Sequence, residues 1–246
     1  MAGPRHNQLE PASLIQQFLA HPPQGFTPLA LTDGAPAFIT LYDLTTTMEW
    51  GAHPAMPLRA LRCVLSALLR FRTCFVGSTV SEYAPLPVAY TPPQLLAEIS
   101  HHAAHCTLAI IKDIPTEPVL LDESAKRHNE QLIEACTKAG YFMVEGQALA
   151  YVPIDFQTTA EFLARMPRAR RRDIKRKLRS ASGLDIEVLH TGSVFFSDEK
   201  TLAQLYALYL NVYEQSLTHF DLLSPEFFRA VLCDASNGGI VFLYKI

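Results

Sequence analysis

Nine of the chain's 21 Lys and Arg residues lie between Arg165 and Arg179, in "RMPRARRRDIKRKLR", where Asp173 is the single acid. Cations at this density suit phosphate oxygens, because Arg offers a planar fork of donors and Lys a compact point charge. At ~100° per residue on a helical wheel, Arg168, Arg172, Lys175, Arg176 and Arg179 share an arc of about 100°, opposite an apolar stripe of Ile174, Leu178 and Ala181. Arg170 and Arg171 flank the stripe and are expected to be partly buried, where a guanidinium is normally paired with a carboxylate or a phosphate. Arg170, Arg171, Lys175 and Arg179 are therefore the residues singled out for phosphate contact, with a phosphorylated small molecule or a tRNA as the partner. The competing reading is a surface helix: without this run the chain keeps 12 basic against 23 acidic residues, so the run could simply pair with an acidic body at ~0 to 1 kcal/mol per exposed ion pair. A sequence-specific DNA reader is disfavoured, since no helix-turn-helix surrounds the run and the isoelectric point is about 6.3.

Other residues could also do chemistry. In "HHAAHC", His101 and His105 are four apart, as are His102 and Cys106. Two donors are too few for zinc, which takes four in structural sites and three in catalytic ones, so no metal is expected. Tyr206, Tyr209 and Tyr213 recur along one helical face. Core packing explains them, and Tyr209 and Tyr213 are also weak catalytic candidates as proton donors or substrate contacts in a cleft between modules. Lys112 and Asp113 close the apolar run "TLAIIKD" where a sheet meets a loop, a frequent place for site residues. The G-x-S-x-G, G-x-x-x-x-G-K-[ST] and G-x-G-x-x-G patterns of hydrolases, P-loops and dinucleotide sites do not occur. Five widely spaced cysteines without C-x-x-C read as reduced and mostly buried. The longest apolar runs fall far short of the ~20 residues of a membrane span, and the N-terminus lacks a signal-peptide pattern, so a cytoplasmic protein is expected.

The elements that must position these residues follow from periodicity. Helices are predicted over 11–20, 57–71, 92–102, 124–139, 160–182, 198–217 with Ser197 as N-cap, and 224–235 with Ser224 as N-cap. Strands are predicted as a hairpin around Thr32–Ala35, then at 73–78, 107–114, as a pair across 141–154, at 184–190, and as a buried final strand from Gly238. Gly183 reads as the stop of the basic helix. The fold class is mixed α/β, with one module over residues 1–155 and a second over 156–246.

The order helix, hairpin, strand, helix, strand, helix, strand pair in 11–154, followed by strand, helix, helix, strand from 184, resembles two GNAT-like halves. Together with Arg171, Ile174, Lys175, Arg176 and Gly183, which occupy the places of an R-x-x-I-R/K-K helix preceding a glycine, with Arg176 at the final Lys, this is similar to the Fem-type N-acyltransferases. The resemblance implies transfer of an acyl or aminoacyl group to an amine, with acyl-CoA or aminoacyl-tRNA as donor. The turn that would hold the donor pyrophosphate reads "GSTVSEYAPLPVAYTPPQ" in the first half, with only Gly77. The first half is thus expected to be degenerate and the second incomplete at its C-terminus. The alternative is a non-catalytic anion- or RNA-binding protein on the same scaffold.

Overall fold

The computed structural model describes residues 5–31, 34–47, 65–116, 119–146, 149–180, 183–216 and 220–245. The chain divides into two units, one of Met1–Val144 with Thr191–Gly239 and one of Glu145–His190 with Ile240–Ile246. This differs from a boundary at 155/156, because Phe227, with Phe220 and Phe228 beside it, packs against Phe18, Phe38 and Phe75 of the first unit, sequence distance notwithstanding.

In the first unit, β1 (Arg5–His6) pairs with β5 (Leu86–Pro87), and a four-stranded sheet runs in the order β2 (Thr27–Pro28), β3 (Ala37–Asp43), β4 (Arg70–Val76), β6 (Leu108–Ile111). The hairpin β2–β3 is antiparallel as expected, with residues 32 and 33 of its turn outside the described residues. β3 and β4 are antiparallel over Ala37↔Val76 to Asp43↔Arg70, and β4 and β6 are parallel over Thr73↔Leu108 to Val76↔Ile111. That parallel step requires a crossover, supplied by α2 (Pro92–His102), in which Pro92 opens the helix and Gln94 accepts from the Thr91 N–H.

Alternation along the strands gives the sheet two apolar faces. Ala37, Cys74 and Val76 pack with Leu95, Leu96 and Ile99 of α2 and with Leu132 and Cys136 of α3 (Glu123–Lys138). Phe38 and Phe75 of the other face pack with Phe18 of α1 (Ala12–Ala20), Phe26 and a later phenylalanine, Phe227. The rings meet edge to face, Phe18 and Phe38 with centroids 5.3 Å apart.

The strand β4 begins at Arg70, three residues before the expected start. Arg70 to Arg72 pair with Asp43 to Leu41, so ladder pairing claims residues that the helical period assigned to a helix over 57–71. Most of that helix lies outside the described residues, and 65–68 are helical.

The strand pair over 141–154 is not formed by its described residues. Phe142 is 93% and Ile154 76% exposed, and β-prone side chains without a ladder partner have no surface to pack against.

In the second unit, α4 (Thr159–Ala164), capped by Thr158, precedes the basic helix α5 (Arg168–Ser180). β7 (Asp185–His190) pairs antiparallel with β8 (Ile240–Lys245). The final strand is not buried: Ile240, Phe242 and Tyr244 on one face are exposed. The first unit's remaining helices are α6 (Glu199–Gln215) and α7 (Pro225–Leu232). Asp198, not Ser197, caps α6 by accepting from Thr201 N–H at 2.9 Å, since residues 194–197 wind into a 3₁₀ turn that takes Ser197 out of the cap position. Ser224 caps α7 as expected. No described helix is long and apolar enough to cross a membrane.

Candidate functional site

Within α5, Arg168 to Ser180, eight cations stand against the one acid, Asp173, an excess of seven positive charges in 13 residues. Asp173 pairs within the helix, with Arg176 at 2.7 Å and Lys177 at 3.3 Å, and these partners hold its carboxyl below the usual carboxylate range. Like charges along the helix also repel. Arg168 and Arg172, Arg171 and Lys175, Arg172 and Arg176, and Lys175 and Arg179 are all four residues apart, each such like-charge pair costing roughly 0.2–0.5 kcal/mol. The first turn carries no acid, so its cations also oppose the helix dipole.

The cations lie as the wheel predicts on the outer arc, where Arg172, Arg176 and Arg179 line one concavity with Ala169 and Asp173. Arg171 is part-buried, its Nη2 donating to the Met166 carbonyl at 3.2 Å, while its buried Nε has no hydrogen-bond partner. Arg170, Lys175 and Arg179 are exposed. For Arg170 this corrects the expectation of partial burial, and the cause is the stripe itself: Leu178 is 52% exposed and no described side chain of α5 is buried, so there is no apolar seam for Arg170 to flank.

The tyrosines of α6 serve the first unit's packing. Tyr206 Oη donates to the Leu223 carbonyl at 2.9 Å, and Tyr209 Oη accepts from the Leu223 N–H at 2.9 Å while reaching the Asp221 carbonyl at 3.4 Å. Their rings pack on Phe228, with Tyr209 at 4.8 Å between centroids. Tyr213 stacks beside Tyr209 at 6.0 Å, and burial raises the phenol pKa of both. Two hydroxyls thus brace the turn that leads into α7.

That turn carries a residue the sequence reading missed. Asp221 is drawn to the C-terminal end of β6, where Lys112 and Asp113 follow the strand. Lys112 forms an ion pair with Asp113, whose φ of 52° places a non-glycine residue in the left-handed region. Burial lowers the Lys112 pKa, and the charges of Glu82, Asp221 and Glu10 oppose that shift. Burial likewise raises the Asp221 carboxyl, against the pull of Lys112. Glu10 Oε1 accepts from the Glu82 N–H at 2.7 Å, and its buried Oε2 has no partner. The loop closing this end is held by the Ala84 N–H to Asp113 carbonyl bond at 3.1 Å, and Gly77, at φ +125°, lets the chain pass where a Cβ would sit 3.2 Å from Lys112 Cβ. A lysine and a half-buried carboxyl pushed in opposite directions beyond the ends of parallel strands are suited to acid–base work. Only Lys112 and Asp113 were legible, because Glu10 and Asp221 stand about a hundred residues from them on either side.

The histidines of "HHAAHC" do not share an α-helical face, since α2 ends at His102 and residues 103–105 form a 3₁₀ turn. Among the described residues no group of three or more His, Cys, Asp or Glu side chains is arranged to hold a metal ion. Of the cysteines, Cys63 lies outside the described residues, Cys74 and Cys136 are buried, and Cys233 is exposed with its thiol near the Phe196 carbonyl at 3.2 Å. Comparison of the chain with protein-family models, with curated proteins and with solved structures finds no match in any of the three.

Proposed function

We propose that this protein binds a phosphorylated polyanion through α5, with a structured RNA such as a tRNA as the ligand class. The observation that carries the reading is the excess of seven charges on a helix whose ion pairs with Asp173 are internal to it. The outer arc from Arg168 to Arg179 spans eleven residue steps, roughly 17 Å at the helical rise. That length meets several successive phosphates, more than one pyrophosphate offers, and an anion laid along it relieves the repulsion between neighbouring cations. A cytoplasmic setting goes with this ligand.

A second reading, aminoacyl or acyl transfer to an amine of the Fem or GNAT kind, is supported by the order helix, hairpin, strand, helix, parallel strand, helix in the first unit and by the Lys112–Asp221 cluster. The two readings share a ligand if the donor is an aminoacyl-tRNA; acyl-CoA is the other donor the resemblance implies.

Fluorescence anisotropy with labelled tRNA, and separately competition by coenzyme A, tests both at 50 to 300 mM salt. The polyanion reading expects tRNA binding that weakens steeply with salt and is abolished by R172E/R176E. If that double variant alters only thermal stability and leaves tRNA binding as it was, α5 is a solvated surface and the reading fails. Tight coenzyme A binding that survives 300 mM salt favours the transferase reading.

A further inference from the structure

The first residues of the chain's described part are fastened by a histidine pair. Asn7, at φ 63°, exchanges two amide hydrogen bonds with Asn129 of α3, at 2.8 and 3.0 Å, and both side chains are buried. One residue earlier on each side, His6 of β1 and His128 of α3 stack with ring centroids 4.0 Å apart and planes 22° from parallel. His128 is 9% exposed and its Nε2 has no hydrogen-bond partner. β1 in turn covers β5 through His6↔Leu86, and Leu86 is fully buried.

Two neutral imidazoles stack well, but a proton on either puts a cation against the face of the other in a site that offers no acceptor to His128 Nε2. The charges that reach the pair are few. Asp122, the N-cap of α3, acts on His6, and His6 in turn acts on His128. Arg5 of β1 is turned away, its guanidinium donating to Gln8 and to the Gly34 carbonyl.

We propose that the His6–His128 stack is an acid-sensitive latch, which holds residues 5–8 against β5 and α3 while both rings are neutral and releases that segment, uncovering Leu86, when the medium becomes mildly acidic. The sign follows from burial, which lowers both histidine pKa values below 6.5 and takes His128 to about 4. The released segment binds the proton more tightly than the latched one, so closure is complete above pH 6.5 and is lost as pH falls toward 4. For His128 alone the opening constant rises by about 30-fold between pH 8 and pH 5, and His6 adds in the same direction. This is independent of what α5 binds.

Hydrogen exchange of the full chain, read by mass spectrometry and corrected for the intrinsic pH dependence of exchange, measures the opening. The expected result is a rise of at least 30-fold for amides of residues 5–8 and 86–87 between pH 8 and pH 5, with β4 and α3 amides still protected. H128F, which keeps a stacked ring without a titrating group, is expected to abolish the rise. Equal opening at both pH values, an unchanged rise in H128F, or loss of protection in β4 and α3 together with β1 overturns the latch. Because H128F could itself disturb folding, the His128 Cε1–H resonance of the unaltered protein is a second measurement, and a titration midpoint of 6 or above also overturns it.

Discussion

Replacing Arg172 and Lys175 by glutamine should move RNA affinity and stability in opposite directions. Both residues are exposed on the outer arc of α5, and each belongs to two of the helix's four like-charge pairs at four-residue spacing, Arg168–Arg172, Arg172–Arg176, Arg171–Lys175 and Lys175–Arg179. R172Q/K175Q removes all four, worth about 1–2 kcal/mol of helix stability at roughly 0.2–0.5 kcal/mol each. If the five cations of the arc each neutralise one phosphate, the slope of log affinity against log salt is about −4.5, and affinity falls by about 500-fold between 50 and 200 mM salt. Losing two contacts brings the slope to about −2.7. Anisotropy titrations with labelled tRNA across that range give the slopes, and urea unfolding gives the stability. R165Q is the control, because Arg165 lies outside α5, where it meets Asp155 and, at 3.1 Å, Glu161, and should leave the slope nearly unchanged. An unaltered slope in R172Q/K175Q, or an equal change in R165Q, would refute the assignment of the arc as the phosphate-binding face.

Two further expectations concern the first unit. Y209F removes the hydroxyl that accepts from the Leu223 N–H and should cost about 1–3 kcal/mol in urea unfolding while tRNA binding stays constant; a specific loss of an activity at constant stability would give Tyr209 a chemical role instead. D221N should raise the melting temperature near pH 7, because burial raises the Asp221 carboxyl and ionising it in the folded state costs stability. That gain should shrink as pH falls toward 4, where the carboxyl takes up its proton, and a lower melting temperature at pH 7 would show that the pairing with Lys112 outweighs burial.

The sequence carried those parts of the fold that local rules decide. Helical period and cap chemistry located α1, α2, α3 and α7, with Pro92 and Ser224 at their starts, and apolar runs between turn signals located β3, β6 and β7. Where two local rules competed, neighbours decided. Ser197 lost the cap of α6 to Asp198 because the preceding residues wound into a 3₁₀ turn. The described residues of the apolar stretch 141–154 stayed outside regular structure because β propensity stabilises nothing without a partner edge.

The charge of α5 is a property of the sequence alone, since no folding changes the count of seven excess cations in 13 residues. Its exposure was partly legible: the wheel placed the outer arc, yet it also promised a buried seam beside Arg170 that the packing of Leu178 does not provide. The Lys112–Asp221 cluster and the His6–His128 stack came only from tertiary structure. Their partners are separated by about a hundred residues or more, and nothing in the neighbourhood of Asp221 or His128 in the sequence marks them. What sets such groups apart is withdrawal from water beside a specific neighbour, and that is settled by how the sheet, helices and turns close around them, not by the residues on either side in the chain.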